Sequence, residues 1–216
     1  MMASALYQRV YRAGPCCCSS KSLIGESGAA DTLTGEQPDT QEVRSHMPQS
    51  SSFIPTLTAL AAPAAAALIL TASRPRLQAD LRQSRRLLVV VGLTIAAQAL
   101  HFGEELLTEL YVAFPTTFGF PAVQQSVFVW VNMTALAVWV AALAALRQGS
   151  VIALLPLWFL GFAELLNLFL HPYLALRTGG YYPGVVTAPL IGVLGIMTIR
   201  ELARVTATEP TSKHES

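Results

Sequence analysis

Residues 53–72 form a run of twenty residues without a single charge, the first of five apolar segments in a chain of 216 residues. At a rise of about 1.5 Å per residue, a helix of that length crosses a hydrocarbon core of about 30 Å. The other four segments cover residues 87–114, 124–146, 151–176 and 181–199. The pattern predicts an all-α fold, a polytopic transmembrane helix bundle of about five helices. Charged residues make up 12% of the chain, against roughly 25% in a typical soluble domain. Of the thirteen Asp and Glu residues, only Glu104, Glu105, Glu109 and Glu164 fall between Leu87 and Ile199, and only Arg147 and Arg177 supply basic charge there. This composition suits solvation by a lipid bilayer and offers neither a nucleic-acid groove nor the surface of a soluble enzyme.

The flanks read differently. Residues 1–52 are rich in Ser, Gly, Thr, Glu and Gln and have no sustained apolar period. Such a stretch buries too little surface to offset its ordering entropy and is expected to be disordered. It is a tail, an over-extended start with initiation at Met47, or a targeting peptide carrying Arg9, Arg12 and Lys21 ahead of any acid. It has no apolar core of the kind a secretory signal needs. Cys16, Cys17 and Cys18 are adjacent, so they outline no disulfide framework; palmitoylation is the one modification they suggest. Residues 200–216 read as a polar tail. Arg74, Arg76, Arg82, Arg85 and Arg86 crowd the loop 73–86, Arg200 and Arg204 follow the last segment, and residues 115–123 hold no basic residue. The positive-inside rule then predicts that the Arg-rich loop and the C-terminus are cytoplasmic. Which membrane this is stays open.

Ionisable residues inside membrane segments are costly and usually face the bundle interior. The second segment carries Gln98, His101, Glu104, Glu105, Thr108 and Glu109, which at ~100° per residue occupy one arc of roughly 140°. Glu164, Asn167 and His171 form a narrow stripe on the fourth, and Asn132 is the amide of the third. Counting back from the outer ends of the segments at ~1.5 Å per residue, His101 and Glu164 lie roughly 18 Å down, Glu105, Asn167 and Asn132 roughly 12 Å, and Glu109 and His171 roughly 6–8 Å. Three helices thus place polar groups in matching layers, which predicts one site. Glu109 alone is expected to snorkel, and Asn132 and Asn167 also suit interhelical hydrogen bonding. Three carboxylates within six residues repel each other and lose hydration on burial. Stability alone gives no reason to assemble them.

The motif His101-Phe-Gly-Glu104-Glu105, the later His171, and Tyr181-Tyr182-Pro183-Gly184 followed by Thr187 resemble, in order, the marks of the HXXEE family of membrane proteins. The resemblance spans about residues 87–199 and implies a small multi-helix membrane domain. It brings no defined activity with it.

Three chemistries fit these residues. In the first, His101, Glu104, Glu105, Glu164 and His171 hold a divalent transition metal, zinc, iron or manganese, and the protein is a metal-dependent enzyme acting on a lipid or other apolar substrate. In the second, Glu104, Glu105, Glu164 and Asn167 perform metal-free acid–base chemistry on such a substrate, as an isomerase or cyclase does. The third needs no turnover: a proton or cation pathway, or a lipid-binding or assembly subunit. In all three, Tyr181, Tyr182, Pro183 and Gly184 are expected to form a lid, with Pro183 starting the last helix and Gly184 permitting close approach. The oligomeric state is not readable from the sequence.

Overall fold

The computed structural model describes residues 53–74 and 85–206, and every regular element among them is helical. The helices are α1 (Ile54–Ser73), α2 (Arg85–Leu107), α3 (Leu110–Thr117), α4 (Gln125–Arg147), α5 (Leu154–Thr178), entered through a 3-10 turn at Val151–Ala153, and α6 (Ala188–Val205). The N-terminal segment, its cysteines and most of the Arg-rich loop lie outside the described residues, as do residues 207–216.

Four stretches are long and apolar enough to cross a membrane: Ile54–Ser73, Arg85–Leu107, Gln125–Arg147 and Val151–Thr178. Their outward faces are apolar, with Leu93, Leu100, Trp130 and Val140 all more than half exposed. That is the surface of a protein dissolved in lipid, because in water it would expose far more contiguous apolar area than a soluble monomer tolerates.

The boundaries depart from the sequence expectation in three places. The second apolar segment is not one helix to residue 114. It breaks at Glu109, which adopts a left-handed conformation (φ 60°, ψ 43°) and leads into the separate helix α3. The last helix begins at Ala188 rather than near 181 and continues to Val205, so Arg200, Glu201 and Arg204 are helical rather than part of a tail. A proline within the fourth apolar segment is expected to kink it, but Pro156 does not interrupt α5. It sits in the helix's first turn, where its missing N–H leaves no hydrogen bond unmade.

Helix α5 is the centre of the packing: α6 runs along it in the most extensive contact, α1 and α4 also cover it, and α2 lies against α6 and α4. Glycines make the α5–α6 contact close. A Cβ on Gly195 would lie 2.7 Å from Cβ of Glu164 and 2.9 Å from the Gly161 carbonyl oxygen, and one on Gly192 would lie 2.5 Å from Leu168. Ala188 and Gly192, small residues four apart on α6, are both buried. One end of the seam is apolar, built from Leu87, Val91, Leu157, Trp158 and Leu202. Beyond it Glu201 pairs with Arg86 (2.8 Å) and Arg204 (3.0 Å), and Arg74 donates to the Ala203 carbonyl. The end of α1, the start of α2 and the end of α6 therefore share one end of the bundle, as the arginine distribution requires. The other end is polar inside.

Candidate metal centre

On α2 the spacing of four between His101 and Glu105 puts both on one helical face, and packing against α5 and α6 buries them. His101 is fully buried, and Glu105 and His171 nearly so. Nε2 of His101 lies 3.1 Å and Nε2 of His171 3.4 Å from the same Glu105 oxygen, Oε1. The two imidazoles meet edge to face with centroids 4.9 Å apart. One ligand atom from each of the three residues falls within 4.8 Å of the others.

Hydrogen bonds on the far side of each ring set the tautomers. Nδ1 of His171 lies 2.6 Å from the Pro183 carbonyl oxygen. A carbonyl only accepts, so Nδ1 carries the proton. Nδ1 of His101 lies 2.6 Å from the Thr187 hydroxyl oxygen. That hydroxyl gives its one proton to Oε2 of Glu104 at 2.6 Å, so it accepts from Nδ1 of His101. With Nδ1 protonated, Nε2 of each ring is the atom that faces Glu105, as a lone pair in the imidazole and as an N–H in the imidazolium. His101 Nε2 has no aligned hydrogen-bond partner despite its short distance to the carboxylate. One nitrogen from each ring and one carboxylate oxygen thus lie close enough together that they could hold a metal ion.

The two distances to Glu105 suit a small divalent ion, while the three ligand atoms as a set lie within 4.8 Å of one another. Ligand bonds of about 2.0–2.2 Å in a tetrahedral site put ligand atoms about 3.3–3.6 Å apart, close to the 3.1 and 3.4 Å found between Glu105 and the two histidines.

The residues read from the sequence as ligands divide into three groups. His101, Glu105 and His171 converge. Glu104 does not join them; the loop between α5 and α6 occupies its carboxylate. Tyr181 donates its hydroxyl to Oε1 (2.7 Å), Val186 its backbone N–H to Oε1 (3.1 Å), and Thr187 both its N–H (2.9 Å) and its hydroxyl to Oε2. Glu164 also lies outside the triad, in a second buried layer. Gln98, its amide nitrogen turned toward Glu164, donates to both carboxylate oxygens at 2.8 and 3.0 Å, and Asn167 donates at 3.3 Å.

The Tyr181–Gly184 turn lies against the two histidines. Tyr182 and Pro183 are buried, and Gly184 lies directly on the histidines. A Cβ on Gly184 would meet His171 Nδ1 at 2.7 Å and His101 Cε1 at 2.9 Å, and its φ of +84° is one that side chains disfavour. Pro183 does not start the last helix; its role is the carbonyl that holds His171. Tyr181 stays half exposed, and burial together with the hydrogen bond to Glu104 pushes its phenol up to about 12.

Asn132 and Glu109 are not part of the site. Asn132 donates to the Phe128 carbonyl of its own helix, and Glu109 is exposed at the helix break. That break explains the shifted layers. The depth count ran through residue 114 as if α2 continued, so Glu105 was placed level with Asn167, one turn from His171, its true partner. The position that spacing did not single out is Thr187. Its hydroxyl reaches His101 only because the loop folds back over α2, and no periodicity encodes that return. Gln98 had a signal, three residues before His101 on the same stripe.

Comparison with family models, with curated proteins and with solved structures gives no match. The case for this centre rests on its geometry and on the His-x-x-Glu-Glu motif that supplies two of its three side chains.

Proposed function

We propose that this membrane protein is a metal-dependent enzyme in which His101, Glu105 and His171 hold one divalent transition metal and which acts on a lipid or other apolar substrate. The observation that carries the reading is the convergence of two Nε2 atoms and one carboxylate oxygen within 4.8 Å of one another, with both Nδ1 atoms within hydrogen-bond distance of an oxygen. Two histidines and one carboxylate form a ligand set of hydrolytic zinc sites and also of non-haem iron sites, each of which leaves room for a further ligand. Such an ion supplies Lewis acidity or redox chemistry; the chain supplies ligands, orientation and a surround that excludes water. An apolar substrate is supported by position. The centre lies within lipid-facing helices, and an open groove of about 450 Å³ is lined by Pro172, Ala175, Leu176, Gly179, Gly180 and Val185, none of them a proposed ligand. Pro172 adjoins His171, and Val185 adjoins Gly184. Membership of the HXXEE family belongs to the same proposal and rests on the ordered motifs.

Elemental analysis of detergent-purified protein tests the metal. One equivalent of zinc, iron or manganese is expected in the wild type and none in His101→Ala or His171→Ala. Mass spectrometry of lipids from membranes containing wild type or His101→Ala tests the substrate class, with a changed lipid species expected only for the wild type. Wild-type protein that stays metal-free after reconstitution overturns the metal reading. The weight then moves to metal-free acid–base chemistry or a proton pathway, which one observation favours: a second buried carboxylate, Glu164, lies on the same α2–α5 interface, held by amides and by no cation.

A further inference from the structure

Thr187 stands at the N-cap of α6, where a threonine hydroxyl ordinarily accepts a hydrogen bond from an N–H of the helix's first turn. Here it makes no such bond. The hydroxyl is turned away from its own helix and lies 2.6 Å from both Oε2 of Glu104 and Nδ1 of His101. The role of this hydroxyl therefore lies in the site rather than in its own helix.

Glu104 shows what that role is. Its two oxygens take four donors, three of them from Val186 and Thr187. The backbone N–H groups of those two residues fix the carboxylate, and the fixed carboxylate fixes the direction of the Thr187 O–H. The hydroxyl oxygen then has only lone pairs left for His101. Because His101 is fully buried, no water competes for Nδ1. Glu104, Thr187 and His101 form a directed chain that ends on Nε2.

We propose that Thr187 is a positioning residue of the metal centre, its hydroxyl oriented by Glu104 so that it holds His101 as the Nδ1–H tautomer with Nε2 aimed at the ion. This inference rests on His101 being a metal ligand. It also gives the second glutamate of the motif, Glu104, a task other than ligation. Groups that orient a metal-bound histidine typically change metal affinity on the order of 10- to 100-fold when removed.

The test pairs zinc affinity with a measurement on the zinc-free protein. Thr187→Val keeps the shape and removes the hydroxyl; Thr187→Ser keeps the hydroxyl. Tyr181→Phe removes a different loop bond to Glu104 and leaves the His101 contact intact. Histidine ring ¹⁵N chemical shifts in zinc-free protein report the tautomer, and chelator competition reports affinity. Thr187→Val is expected to move His101 toward the Nε2–H form and to weaken zinc binding on the order of 10- to 100-fold. Thr187→Ser and Tyr181→Phe should keep the wild-type tautomer and bind zinc nearly as the wild type does. An unchanged tautomer in Thr187→Val overturns the proposal. Equal losses of affinity in Thr187→Val and Tyr181→Phe also overturn it, because loop tethering alone would then explain both. If the wild type binds no metal, the proposed function fails, and the ¹⁵N shifts still decide whether Thr187 sets the tautomer.

Discussion

The Pro183 carbonyl oxygen lies 2.6 Å from Nδ1 of His171, so the loop after α5 holds a histidine that α5 itself presents twelve residues earlier. The residue after Pro183 is seated against the same ring, with no room for a Cβ on Gly184. Pro183 and Gly184 therefore bear directly on the two histidines, and a change at Gly184 should be felt there.

Gly184→Ala is expected to show this coupling. A side chain at φ +84° costs about 1–2 kcal/mol for the left-handed backbone alone, and the added methyl must displace His171 or His101. The variant should keep the helical circular dichroism of the wild type, melt at lower temperature in detergent and take up less added zinc. Unchanged melting and full zinc occupancy would show that the loop does not bear on the histidines.

Tyr181 gives a pH signature. Burial and the hydrogen bond to Glu104 raise its phenol from an ordinary value of 10.0 to about 12. A group whose folded pKa is raised contributes stability that is complete below its unfolded pKa and is lost as pH rises through the folded value. This contribution is therefore full below about pH 10 and disappears between about pH 10 and 12. Absorbance titration of the phenolate band should show a late-ionising tyrosine in the wild type that Tyr181→Phe lacks. An identical upper limb in both proteins would mean that Tyr181 is not held by Glu104.

The α5–α6 seam should tolerate no added volume at Gly195. In Gly195→Ala the new methyl meets Glu164 Cβ at 2.7 Å and the Gly161 carbonyl at 2.9 Å, and overpacking of this kind costs about 1–3 kcal/mol. Gly92→Ala, on α2, is the control: the nearest atom to its Cβ is Leu143 Cδ2 at 3.9 Å. Alanine there should be neutral or stabilising by about 0.5–1 kcal/mol, since glycine weakens a helix interior by that much. Thermal unfolding in detergent compares the two. Equal melting temperatures would show that the helices separate more easily than their packing implies.

Much of this protein is written locally. The uncharged run before the Arg-rich loop, the return of apolar residues after it, and the run after residue 123 each imply a membrane helix by length and composition, because lipid solvation acts on each segment by itself. The pairing of His101 with Glu105 is equally local: a spacing of four on a helix puts both on one face whatever lies opposite. What lies opposite is not local. That Glu105 meets His171 rather than Asn167 depends on the break at Glu109 and on how far α5 and α6 interlock through Gly161, Gly192 and Gly195. Register between helices comes from packing volumes, to which hydropathy is blind. The separation of Glu104 from the ligands was hidden for a similar reason. Its sequence neighbour Glu105 is the same residue type on nearly the same face, and only the loop that returns over α2 supplies four donors to one and leaves the other to the histidines. The sequence by itself determined that this chain lives in lipid and buries histidine beside glutamate. Tertiary structure decided which carboxylate faces the histidines and which orients one of them, because that choice is made by hydrogen bonds from residues some eighty positions away.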